Sequence, residues 1–176
     1  MKNCLLLTTI FITYELVRCQ SGDLEGSCHR VVNIFPAKLR ELRITFKKVK
    51  DFFQMKDNAL ETILLQDDLL QDFKGSIGCQ SVSEMLRFYL EDVLPQAKEK
   101  SKHFEISVNF MKDKLLDLKL TIKRCHNFLP CDRKSKAIRQ IKETYSKMHE
   151  QGIYKAMGEF DIFIDYIEEY LMSKKK

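Results

Sequence analysis

A chain of 176 residues with only six Gly and three Pro can bury one sizeable core, and it is too poor in chain breakers for a loop-rich or collagen-like protein. Its formal net charge of +5 is too weak to argue for nucleic acid. Leu, Lys, Glu and Ile dominate and no internal repeat appears, so the expected class is all-α in a single domain.

Lys2 precedes a short apolar run, Cys4 to Thr13, about half the length of a membrane span, and more polar residues then end in small Cys19. Residues 1–19 therefore read as a secretory signal peptide and residues 20–176 as one helical domain. No later segment is long and apolar enough for membrane insertion, so the expected location is extracellular. Of six cysteines, Cys4 and Cys19 leave with the leader. Cys28, Cys79, Cys125 and Cys131 remain, an even number in an oxidising compartment, and two disulfides are expected. Four cysteines allow three pairings, and spacing does not choose among them. Cys125, His126 and Cys131 lack a CxxC pair or a second histidine at finger spacing, so no metal is expected.

Six helices are predicted along the mature chain. The first, Ala37 to Gln54, has Leu39, Leu42, Phe46, Val49 and Phe53 on its buried stripe, and a mostly basic stripe of Arg40, Arg43, Lys47, Lys50 and Gln54 beside it. The second spans Ala59 to Phe73, before Gly75 and Gly78 turn the chain. Ser81 or Ser83 is expected to cap a third helix carrying Val82, Met85, Leu86, Tyr89 and Val93, with Pro95 kinking or ending it. The fourth, Glu105 to Cys125, presents Met111, Leu115, Leu118 and Ile122, and Asn127 and Pro130 break it. The fifth, Ser135 to His149, presents Ile138, Ile141, Tyr145 and Met148. The last, Gly152 to Leu171, has Ile153, Met157, Phe160, Ile164, Ile167 and Leu171 on one face, with Lys155, Glu159, Glu168 and Glu169 expected to fall away from it.

Catalysis finds no support. The histidines at 29, 103, 126 and 149 have no HExxH spacing, and neither a GxSxG elbow nor a glycine-rich phosphate loop occurs. No cofactor and no enzymatic activity are expected.

Several blocks carry a more specific signal: LRELR at Leu39–Arg43, FFQMKD at Phe52–Asp57, DFKG at Asp72–Gly75, GCQSVSEM at Gly78–Met85, RCHNFLPC at Arg124–Cys131, KSKA at Lys134–Ala137 and KAMGEFDIF at Lys155–Phe163. In this order they resemble the interleukin-10 family of class II helical cytokines over nearly the whole mature chain. Two departures stand out: Asp57 to Asp68 is one residue longer than the family pattern, and Gly158 replaces a frequent serine. The resemblance implies a six-helix fold of the four-helix-bundle type in an intercalated, domain-swapped homodimer, with Cys28 paired to Cys125 and Cys79 to Cys131. If Cys131 is tied to Cys79, only Asp132 to Lys134 remain before the fifth helix. They reach about 10 to 14 Å, roughly one helix diameter, which makes folding back onto the same chain cramped.

The resemblance also implies a secreted cytokine that binds and dimerises the interleukin-10 receptor, with a high-affinity and a shared signalling chain, and drives largely anti-inflammatory regulation. The receptor contacts it carries over are Arg40, Arg43, Lys50, Gln54, Glu61, Lys155, Glu159, Asp161 and Glu168. Arg43 leads them, because guanidinium binds carboxylates bidentately. Lys174 to Lys176 with Arg133, Lys134, Lys136 and Arg139 are candidates for sulfated glycans. The competing functions are a secreted helical carrier of an apolar ligand and a family cytokine with another receptor pair.

Overall fold

The computed structural model describes residues 33–123 and 135–173. Its regular structure there is entirely helical: α1 (33–47), α2 (Lys50–Lys56), α3 (Asp67–Lys74), α4 (Gly78–Phe88), α5 (Leu94–Lys100), α6 (Glu105–Lys123), α7 (Lys136–Lys147), α8 (Glu150–Gly158) and α9 (Phe160–Ser173). The proposed signal peptide and Cys28, Cys125 and Cys131 lie outside the described residues.

The expected first helix is α1 and α2 with a tight turn between them. The Thr45 hydroxyl donates to the Glu41 carbonyl at 3.0 Å, and the N–H groups of Lys48 and Val49 close onto the carbonyls of Thr45 and Phe46, three residues back. Such back-bonding competes with the α ladder and bends it. The apolar stripe survives the break, for Leu39, Leu42, Phe46, Val49 and Phe53 are all buried.

The second predicted helix is corrected. Residues 57–66 are irregular and only Asp67–Lys74 is helical. LETILL has helical spacing, yet Leu60 and Ile63 are 78% and 59% exposed while Leu64 and Leu65 are buried. The backbone N–H groups of Leu64 and Leu65 go to the carboxylate of Glu159, distant in sequence, so tertiary contacts override local propensity.

The third helix starts at Gly78, ahead of the expected serine caps, and runs through Pro95 to Lys100. A five-residue π turn, Tyr89–Val93, makes this possible. Proline lacks an N–H and its ring would strike the carbonyl four residues back; the wider turn, in which the Leu94 N–H donates to the Tyr89 carbonyl, accommodates it. Tyr89 thereby stacks on Phe163 at 4.5 Å, meets Phe160 edge-on at 5.1 Å and donates its hydroxyl to the Ala156 carbonyl at 2.9 Å.

In α6, Met111, Leu115, Leu118 and Ile122 are buried as expected. In α7, Ser135 is the N-cap, its hydroxyl accepting from the Ile138 N–H. The last predicted helix is interrupted at Glu159 between α8 and α9, but its six stripe residues are each at most 4% exposed. This hairpin is the centre of the core: α8 lies on α2 and α5, α9 on α3 and α4, and α7 on α4 and α8.

Gly158 sits where α8 ends. A Cβ there would meet Gln54 Cγ at 3.6 Å, Asp57 Oδ2 at 3.9 Å and Gln54 Cα at 4.0 Å, all ordinary contacts, and its φ is not positive. Gly158→Ala is therefore expected to stabilise the protein by about 0.5–1 kcal/mol, read as a higher midpoint in urea with an unchanged slope.

Candidate functional site

The basic stripe of α1 and α2 faces an acidic stripe on α9. Arg43 spans Asp165 at 2.7 Å and Glu168 at 2.5 Å, and Lys50 reaches Asp161 at 2.6 Å. Gln54 continues the row, its Nε2 donating to the Gly158 carbonyl at 3.0 Å. Asp161, Asp165 and Glu168 are spaced four and three apart, one side of a helix turned toward the cations. Burial works to lower the pKa of Arg43, but its bonds to Asp165 and Glu168 outweigh this and raise it. These pairs are one-third to two-thirds exposed, so each adds little to stability. What they contribute is an ordered, charge-patterned surface made from the first and last helices.

A second group behind this row is buried. Lys155 is 5% exposed, with Nζ 2.6 Å from Asp57 and 3.7 Å from Glu159. The Glu159 carboxylate accepts the Leu65 N–H at 2.8 Å and the Leu64 N–H at 3.0 Å. The Tyr166 hydroxyl donates to the Gln66 carbonyl at 2.9 Å, and Asp57 accepts from the Ala59 N–H at 3.0 Å. Residues 57–66, which have no regular ladder of their own, are thus pinned at both ends and near Leu64 by α8 and α9. Lys155 and Glu159, expected to fall away from the apolar face, are nonetheless covered, with side chains 7% and 13% exposed, because the loop folds over them. Burial raises the pKa of Glu159, against the lowering action of the Leu65 and Leu64 N–H groups and Lys155.

That shift has a sign. A carboxylate whose folded pKa lies above its unfolded value contributes stability that is present below the ordinary value of about 4.3 and lost as pH rises through the folded pKa. Relative to Glu159→Gln, the wild type is expected to lose stability as pH rises through that window; urea midpoints measured across it check this.

Of the residues selected from sequence, Arg43, Lys50, Gln54, Asp161 and Glu168 come together in the row, and Arg40 is exposed on the adjoining part of α1. Glu61 is exposed on the pinned loop, at the rim of a groove of about 560 Å³ against α7. Lys155 and Glu159 lie beneath the loop. Asp57 and Asp165 were not selected; the period from Asp161 to Asp165 was the available signal for one, and nothing local marks the other. Apolar Met55, Leu60 and Ile63 are strongly exposed at this edge, the pattern of apolar groups beside charges found at protein interfaces. Cys79, the second residue of α4, is half-buried. Among the described residues no His/Cys/Asp/Glu cluster is placed to hold a metal, and no helix is long and apolar enough to cross a membrane.

Among the described residues, an all-α bundle whose organised chemistry is a charged, apolar-edged surface built from its first and last helices has the form of a helical cytokine. The chain belongs to the interleukin-10 family. The family model described as Interleukin 10 matches residues 3–173. Among similar proteins, Interleukin-10 of Gallus gallus is 54% identical over 153 residues, 87% of each chain. Interleukin-10 of Cervus elaphus is 52% identical over 176 residues, 99% of this chain and 98% of the relative; that of Felis catus is 53% identical over 159 residues, 90% and 89%. The family is one of cytokines and not of enzymes.

Proposed function

We propose that the chain is secreted after removal of residues 1–19, carries the disulfides Cys28–Cys125 and Cys79–Cys131, and binds and dimerises the interleukin-10 receptor as an intercalated homodimer, triggering largely anti-inflammatory signalling. The high-affinity receptor chain meets Arg40, Arg43, Lys50, Gln54, Glu61, Asp161 and Glu168. Lys155 and Glu159 serve the same site by holding the loop that carries Glu61. The observation that carries this reading is the row from Arg43 to Gln54 bonded across to α9 and to the end of α8, in a chain of this family. Arg43 and Lys50 are held in place by the carboxylates of Asp161, Asp165 and Glu168, which pre-organises a mixed-charge surface for a partner of complementary charge.

Support for intercalation comes from chain connectivity. Helices α7–α9 join the rest only through residues 124–135, and their packing surfaces on α2, α3 and α4 serve equally for the α7–α9 unit of a second copy. With Cys131 tied to Cys79, the remaining link favours the second copy.

Arg43→Ala is expected to weaken binding to the high-affinity ectodomain about tenfold or more while circular dichroism stays unchanged. Surface plasmon resonance reads the affinity; equal affinity with equal fold removes Arg43 from the site. A weaker second contact with sulfated glycans is supported by the groove where Arg87, Lys136, Arg139 and Lys142 converge around Glu84. Heparin retention that persists well above physiological salt supports it, since purely diffuse attraction is screened there.

A further inference from the structure

We infer that Met55 and Met172 are oxidation sites through which a hydroperoxide weakens the docking surface that lies between them. This rests on the receptor reading above and adds a covalent control of that same surface.

Seven methionines occur in the chain, with Met1 in the proposed leader. Met85, Met111 and Met157 are 0% exposed, and Met148 is half-buried. Met55, in the last turn of α2, and Met172, in the last turn of α9, are 84% and 54% exposed. Oxygen transfer needs the oxidant to reach the sulfur, so these two should react first. Both also stand at the ends of the charged row. Met55 follows Gln54, which closes the row onto the end of α8, and with exposed Leu60 and Ile63 it forms the apolar edge. At the other end, Asp161, Asp165, Glu168 and Met172 recur at steps of four, three and four, so the side of α9 that meets Arg43 runs on to Met172. The two strongly exposed methionines among the described residues therefore bracket one surface.

The step is a two-electron oxygen transfer. The sulfur lone pair attacks one oxygen of hydrogen peroxide, an S–O bond forms as the O–O bond breaks, and the departing hydroxide takes the proton left on the transferred oxygen to give water. Sulfur is oxidised from thioether to sulfoxide and the peroxide is reduced. An apolar side chain thereby becomes a polar one. A partner that covers it must strip water from the sulfoxide oxygen, which is costly unless a new hydrogen bond replaces that water.

The test treats the full secreted chain with hydrogen peroxide, maps oxygen uptake by peptide mass spectrometry and reads affinity for the immobilised high-affinity ectodomain by surface plasmon resonance. Met55 and Met172 should each gain one oxygen before Met85, Met111 and Met157 do, with circular dichroism unchanged. Affinity should then fall about tenfold, and reduction by a methionine sulfoxide reductase should restore it. The double variant Met55→Leu/Met172→Leu, compared with its own untreated sample, should lose nothing on treatment. Equal uptake by the core methionines while the fold persists would overturn the inference. So would full affinity with Met55 and Met172 mapped as sulfoxides, or an equal loss in the treated double variant. An untreated wild type that does not bind the ectodomain would instead defeat the receptor reading itself, and the two failures are told apart before any oxidant is added.

Discussion

Lys155→Met is expected to destabilise the protein by about 3–5 kcal/mol, the usual cost of removing one partner from a buried ion pair. The methylene stem would pack as well in methionine, so the loss is electrostatic. Asp57 and Glu159, 10% and 13% exposed, would face each other without the ammonium that now stands 2.6 and 3.7 Å away. Protonation of one carboxyl would limit the cost at low pH, so the penalty should shrink on acidification. The comparison is Lys74→Met. Lys74 pairs with Glu169 at 3.1 Å, but the side chains are 41% and 51% exposed, and the expected change is below about 1 kcal/mol. Urea denaturation of both variants measures the difference, and equal effects would show that the Lys155 site is open to water in solution. Loss of Lys155 should also weaken receptor binding, through release of the loop rather than through a lost direct contact.

Gly78→Ala is expected to cost about 3 kcal/mol, the upper part of the usual range for overpacking. A Cβ at this position would lie 2.1 Å from the Phe73 carbonyl oxygen and 3.0 Å from the Tyr170 ring. Backbone oxygen cannot rotate away like the end of a flexible side chain, so the turn between α3 and α4 must open. Tyr170 lies in the core of α9, and displacing it disturbs the helix that supplies Asp161, Asp165 and Glu168. A drop in Tm of several degrees is expected, with lower yield of oxidised protein because Cys79 adjoins the displaced turn. The opposite sign expected for Gly158→Ala makes the pair informative: one glycine answers to a close backbone approach and the other to nothing the structure requires.

Much of the helical core was legible as periodicity. The stripe from Ile153 to Leu171 and that from Met111 to Ile122 are buried residue for residue, because burial against a neighbouring layer at 3.6-residue period is what helix packing demands. The meeting of basic and acidic helices was half legible. Arg43 stood out by charge and spacing and Glu168 came from the family resemblance, whereas their adjacency depends on how α1 and α9 cross. Residues 57–66 were misread because Leu60, Ile63 and Leu64 have helical spacing while the bonds that decide their conformation come from Glu159, some 94 residues away. Lys155 was misread for the same reason: the loop that buries it is distant in sequence. Pro95 was read as kinking or ending its helix because its local chemistry opposes an α turn; a π turn removes that conflict, and the helix runs on. In each case local preference lost to a partner or a geometry that no window of neighbouring residues contains.

In the proposed function, two intercalated chains present this charged surface to the receptor twice. Size-exclusion chromatography with multi-angle light scattering tests it most directly, applied to the secreted chain alone and with excess soluble ectodomain of the high-affinity interleukin-10 receptor. The expected result is twice the chain mass alone and a mass gain of at least two ectodomains in the mixture, lost in part with Arg43→Ala. A monomer alone at micromolar concentration, or a correctly oxidised dimer that leaves the ectodomain unbound, would contradict it.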